Sequence, residues 1–137
     1  MKKKYFIIAG ILLLLLIIGW GFYKYNKPHA GIADQKTDYT LTAVDLFNSF
    51  QKDESAANKK YLGKVIGVKG SISVVQTGSG NTNIQMDASP MGGVNCSFSN
   101  ADEQTLKTLK KGDTLTIKGR CTGFLMDVNL VDCVVAE

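Results

Sequence analysis

The apolar positions of this chain change their spacing along its length, and each change marks a different kind of element. From Tyr5 to Tyr23 no residue is charged. This run of 19 residues, rising ~1.5 Å per residue as a helix, reaches roughly the thickness of a bilayer's hydrocarbon core. From 26 to 38 no periodicity is present, and Pro28 and Gly31 mark a linker. Val44, Leu46, Phe47 and Phe50 then recur at helical spacing, with Thr42 as the N-cap and Asp45 completing a capping-box variant. A second short helix is expected from Glu54 to Lys60.

From Gly63 onward the period becomes two. Ile66, Val68, Gly70, Ile72 and Val74 alternate with small or polar residues, which describes a half-buried strand, and Gly70 suggests a bend or bulge within it. Thr77 to Asn81 form a hairpin loop, Ile84 and Met86 resume the alternation, and Val94, Cys96 and Phe98 share one face of a third strand. A helix follows, capped by Ser99 or Asn100, with Asp102 and Glu103 in its first turn and Leu106 and Leu109 facing inward. Lys110, Lys111 and Gly112 end it. Leu115, Ile117, Gly119 and Cys121 define a fourth strand. In a fifth, from about Asp127 to Val135, the spacing of Val128, Leu130, Cys133 and Val135 requires a bulge.

The expected class is mainly β (α+β): five strands with a helix between the third and fourth, in the order of an oligonucleotide/oligosaccharide-binding (OB) barrel. A short helix precedes the first strand, and an N-terminal transmembrane helix precedes both. The chain divides into a cytoplasmic stub and anchor at 1–25, the linker at 26–38 and the barrel domain at 39–137. The stretches Tyr61-Leu62-Gly63-Lys64, Val68-Lys69-Gly70 and Val94-Asn95-Cys96-Ser97-Phe98 resemble the tRNA_anti-like OB-fold family. So do Leu109-Lys110-Lys111-Gly112, Lys118-Gly119-Arg120-Cys121 and Asp127 to Cys133. The similarity covers roughly Leu41 to Val135. It implies the fold and membrane-attached or secreted relatives, and its name alone does not imply tRNA binding.

Charge changes the picture of the partners. The whole chain is net +4, but Lys2, Lys3, Lys4, Lys24 and Lys27 flank the apolar run. The remainder holds eleven basic and twelve acidic groups, net −1. A diffuse basic surface for phosphate is therefore not expected. Three lysines before the run against two after it favour a cytoplasmic N-terminus and an extracytoplasmic domain. Trp20, Phe22, Tyr23 and Tyr25 suit a membrane interface better than a cleavage site, so an uncleaved anchor is favoured over a signal peptide. No cysteine follows the run to accept a lipid.

Candidate binding residues fall into two groups. Asn83, Gln85, Asp87, Asn95 and Ser97 lie on the outer face of the second and third strands, with Lys69, Ser71 and Ser73 beside them. That face is rich in amides and hydroxyls and lacks the aromatics on which bases stack. Phe124, Leu125 and Met126 occupy the loop between the fourth and fifth strands. They serve as an apolar lip over a ligand, with Asn81 and Thr82 nearby, or else Phe124 and Leu125 fold back to plug the barrel's end.

Cys96, Cys121 and Cys133 all fall on strands. Cys121 with Cys133 is the leading disulfide pair, Cys96 with either remains open, and three buried thiols are the alternative. The residue pattern carries no catalytic constellation, metal site or cofactor motif, and the sole histidine, His29, is in the linker. The sequence therefore describes a non-enzymatic, single-pass, envelope-facing binding module for a peptide, glycan or protein partner. The alternatives are a nucleic-acid-binding OB domain and a structural envelope protein with no specific ligand.

Overall fold

In a computed structural model, residues 2–25, 31–99 and 103–136 are described, and they form two units divided after Ala30. The first unit is a single helix, α1 (Lys2–Tyr25). Its apolar side chains are exposed all round, as expected of a segment with no protein core to face, and it is long and apolar enough to cross a membrane.

The second unit is a mixed β-barrel of the OB type. It begins at Gly31, so the expected linker 26–38 divides: 26–30, with His29, lie outside the described residues, and 31–38 belong to the folded unit. A 3-10 turn, Ile32–Asp34, buries Ile32 to 3% exposure. Lys118 Nζ donates to the carbonyls of Ala33 and Gln35, and Arg120 Nη2 donates to Gln35 Oε1 at 3.2 Å. Asp38 then pairs with Val65, its backbone N–H donating to the Val65 carbonyl at 2.8 Å while its Oδ2 accepts from Val65 N at 3.0 Å.

Next comes an element the periodicity did not reveal, the short strand β1 (Tyr39–Thr42), parallel to residues Ile66–Lys69. Four residues are too few to establish a period. Helix α2 (Ala43–Lys52) starts at the expected cap, with Thr42 Oγ1 accepting from Asp45 N at 3.1 Å. It buries Ala43, Leu46, Phe47 and Phe50, while Val44 points to solvent, contrary to expectation. Helix α3 (Glu54–Tyr61) follows, capped by Asp53.

The five expected strands are β2 (Val65–Thr77), β3 (Thr82–Ser89), β4 (Gly92–Phe98), β5 (Thr114–Phe124) and β6 (Val128–Ala136). The sheet runs β1-β2-β3-β4-β6-β5, and β2 closes it by pairing with β5. Closure depends on the length of β2, which pairs with β5 through Val65–Ser71 and with β3 from Ile72 onward. The β2 bulge falls between Ile72 and Val74, not at Gly70. Gly70 instead permits close approach, since a Cβ there would stand 3.0 Å from that of Ala43.

Helix α4 (Glu103–Thr108) connects β4 to β5 and buries Leu106. Leu109, half-buried, lies just beyond its end, and Lys110 and Lys111 follow it rather than closing it, leaving Lys107 as the basic residue of its last turn. Of the expected caps and first-turn acids, Asn100 and Asp102 lie outside the described residues, Ser99 is exposed just beyond β4, and Glu103 opens the helix. In β6 the expected bulge is at Asp132 (φ 53°), which lets Leu130 and Cys133 both face inward although three residues apart.

The core is filled by Ile66, Val68, Ile72, Ile84, Met86, Val94, Phe98, Ile117, Val128 and Leu130, with Phe47 and Phe50 of α2 packed among them. All three cysteines are buried free thiols. The expected pairing of Cys121 with Cys133 is not what the structure brings together. Cys121 stands opposite Leu130, Cys133 lies against Gly119, and the thiol in hydrogen-bond contact with Cys133 is that of Cys96. That contact, with burial, holds the Cys96 pKa well above the ordinary thiol value, and burial raises that of Cys121.

Candidate functional site

Strand alternation separates the side chains of β3 and β4 cleanly. Ile84, Met86, Val94, Cys96 and Phe98 are buried, whereas Asn83, Gln85, Asn95 and Ser97 are half-buried on the outer face and Asp87 is exposed. Register then aligns these residues into rows across the sheet. Gln85 lies opposite Val74 on one side and Asn95 on the other, and Asn95 lies opposite Asn129 of β6. Asn95 Nδ2 donates to Asn129 Oδ1 at 3.4 Å, and Ser73 Oγ donates to the Gln85 carbonyl at 3.0 Å. A second row joins Gln76, Asn83 and Ser97. Lys69 stands apart, where β2 runs between β1 and β5, and Ser71 Oγ bonds to the Gly112 carbonyl.

Asp127 ties this face to the β5–β6 turn. Its Oδ1 accepts from the Gly93 backbone N–H at 2.7 Å and from Gln85 Nε2 at 3.4 Å. The contact requires glycine on the opposing strand. A Cβ at Gly93 would stand 2.0 Å from the Met86 carbonyl oxygen, and one at Gly92 would stand 2.7 Å from that of Met126. The β3–β4 and β5–β6 turns therefore lie side by side at one end of the face.

Two contiguous depressions result. One of about 400 Å³ runs between the two turns, with Asp87, Met91, Met126 and Asp127 among its lining residues. Another of about 130 Å³ lies over the amide rows between Gln76, Asn83, Asn95 and Asp127. Gln85 and Asp127 belong to both.

Residues Phe124, Leu125 and Met126 have separate fates. Phe124 folds inward, its ring stacked on Phe50 at 5.6 Å and edge-on to Phe47 at 5.8 Å. Leu125 and Met126 remain 86% and 75% exposed, and Met91 on the neighbouring turn is 75% exposed. Asn81 and Thr82 are not their neighbours. Thr82 pairs with Phe98 at the far end of β4, whereas the β5–β6 turn adjoins Gly92 and Gly93 at its start.

Sequence reading missed Asp127, Met91 and Asn129. The one signal for Asp127 was an acid at a hairpin tip; its partner, the Gly92-Gly93 pair, is 34 residues away in sequence. The other ring cluster sits on the helical side, where Lys60 Nζ lies 5.4 Å and 5.1 Å from the ring centres of Tyr39 and Tyr61.

A family model described as tRNA_anti-like matches residues 1–135. No curated protein matches the chain. Among solved structures, one described as a candidate nucleic acid-binding lipoprotein from Klebsiella pneumoniae subsp. pneumoniae superposes with a TM-score of 0.62 at 19% identity, covering 81% of this chain and 100% of that one. An OBody bound to hen egg-white lysozyme superposes with a TM-score of 0.43 at 14% identity, over 56% of this chain and 78% of that one. At 19% identity the likeness to the Klebsiella structure is one of fold.

Proposed function

The chain belongs to the tRNA_anti-like family, and from that premise we propose that it is a membrane-tethered, non-catalytic binding module. Its helix α1 serves as an uncleaved anchor with the N-terminus in the cytoplasm, and the barrel lies on the extracytoplasmic side. There it takes a peptide, glycan or protein partner. The observation that carries this reading is the pair of contiguous depressions, the smaller lined by amides and the larger beside three exposed apolar side chains, Met91, Leu125 and Met126. Exposed apolar residues grouped on adjoining turns are the usual mark of a contact surface. Lys118 and Arg120, by contrast, are held by Ala33 and Gln35.

Nucleic acid, which the family name and the description of the Klebsiella structure bring to mind, fits this face less well. Base stacking needs exposed aromatics and phosphate needs cations. Among the described lining residues of both depressions there is no aromatic, lysine or arginine, and there are two carboxylates.

Two experiments test the proposal. A C-terminal alkaline phosphatase fusion is expected to be active, and inactivity of a stably made fusion overturns the orientation. A photocrosslinking residue at 91 or 126 in cells is expected to give a discrete adduct that is absent when the probe sits at 111. The same pattern from all three positions would overturn the assignment of the face.

A further inference from the structure

Resting on that reading of the face, we propose a specific occupant: an extended peptide segment carrying a lysine or arginine. Its cationic group lies between Asp87 and Asp127, and an apolar side chain beside it rests on Met91 and Met126.

Charge complementarity is the first argument. Both carboxylates adjoin Gly93: Asp87 is its register partner and Asp127 accepts its backbone N–H. Oδ1 of Asp127 is committed to the protein, while its Oδ2 and the exposed carboxylate of Asp87 have no partner among the described residues. No basic residue among those described lines either depression, so nothing in the barrel neutralises the pair there. Three of the domain's own cations are engaged elsewhere, Lys118 and Arg120 by residues 33–35 and Lys60 by two tyrosine rings.

The second argument is shape. A depression of about 400 Å³ accepts one or two long side chains rather than a folded domain. Methionine is unbranched and polarizable, and adapts to apolar groups of varied form. Strands β3 and β4 have neighbours on both sides, which closes the route of adding a strand at this face. Recognition then falls to side chains, and the amides of Gln85 and Asn95, which line the smaller depression, face the main chain of an extended segment. A neutral glycan would find no exposed aromatic ring to stack on here.

The test uses the full chain in phosphatidylcholine nanodiscs to select from a library of random short peptides. The expected result is enrichment of lysine or arginine next to an apolar residue. Binding of a selected, fluorescein-labelled peptide should weaken as salt is raised, and Asp87→Asn should weaken it roughly three- to tenfold. Asp87 is exposed and forms no hydrogen bond among the described residues, so that variant retains the fold. Selected peptides without basic enrichment, or binding indifferent to Asp87→Asn, overturn the inference. If such neutral peptides are still lost on Met126→Ser, the face remains a binding site and only the cationic occupant falls. Selection of no peptide at all overturns the inference, while the crosslinking result decides the face independently.

Discussion

The backbone N–H of Gly93 donates to Asp127 Oδ1 at 2.7 Å, joining the β3–β4 turn to the β5–β6 turn across 34 residues of sequence. This bond shapes the depression between the two turns, because it fixes Asp127, whose carboxylate is shared by both parts of the candidate site.

Removing the acceptor leaves a part-buried donor unpaired. Asp127→Ala is expected to destabilise the barrel by about 1–3 kcal/mol, read by urea denaturation of the full chain in detergent micelles. Asp127→Asn keeps an acceptor oxygen and should cost less. Equal losses in the two variants would mean that a neutral acceptor oxygen does not replace the carboxylate.

Gly93→Ala tests the donor side. The added methyl meets a backbone carbonyl oxygen, which has little room to move. A loss of about 3 kcal/mol or failure to fold is expected, against a loss near zero for an alanine at Gly78, whose nearest contact is an ordinary 3.5 Å. Similar stability in the two variants would show that β3 and β4 can shift apart at this point without cost.

Phe124 and its neighbours should behave oppositely. Phe124→Ala removes two ring contacts and is expected to cost about 2–3 kcal/mol. Leu125→Ser and Met126→Ser should lie within about 0.5 kcal/mol of the parent, because both side chains are in solvent. A large loss at Leu125 would mean that the turn packs inward. Partner loss on Phe124→Ser is therefore confounded by unfolding, whereas loss on Met126→Ser is interpretable.

The thiols give a pH dependence of definite sign. The folded pKa of Cys96 is raised by its hydrogen bond to Cys133 and by burial, so its contribution is fully present below the ordinary thiol value. Above that value the unfolded chain releases its proton first. Stability should then fall by up to about 1.4 kcal/mol per pH unit for this group until the folded pKa is reached. Denaturation midpoints measured on reduced protein through the alkaline range should show this fall, and Cys96→Val should flatten it. An unchanged slope in the variant would assign the alkaline loss to other groups.

Much of the fold was legible because its signals are local. The Thr42 cap, the alternation of β3 and β4 and the offset of Cys133 from Leu130 each need only a few neighbouring residues to be read. The outer position of Asn83, Gln85, Asn95 and Ser97 followed from the same alternation. β1 escaped because its pairing with Ile66–Lys69 lies across two intervening helices. Residues 31–38 were read as linker because a single buried isoleucine and backbone carbonyls bound by distant cations leave no periodic trace.

By itself the sequence determined the long apolar helix, the order of strands, the inward faces and the character of the outer one, since each follows from residue type and spacing along a continuous segment. Tertiary structure alone decided that Phe124 turns inward while Leu125 and Met126 do not, and that Cys133 meets Cys96. It also decided that Asp127 closes onto Gly93. These outcomes depend on bulges, on the register between strands distant in sequence and on contacts between turns, and register is a property of the closed barrel rather than of any one strand.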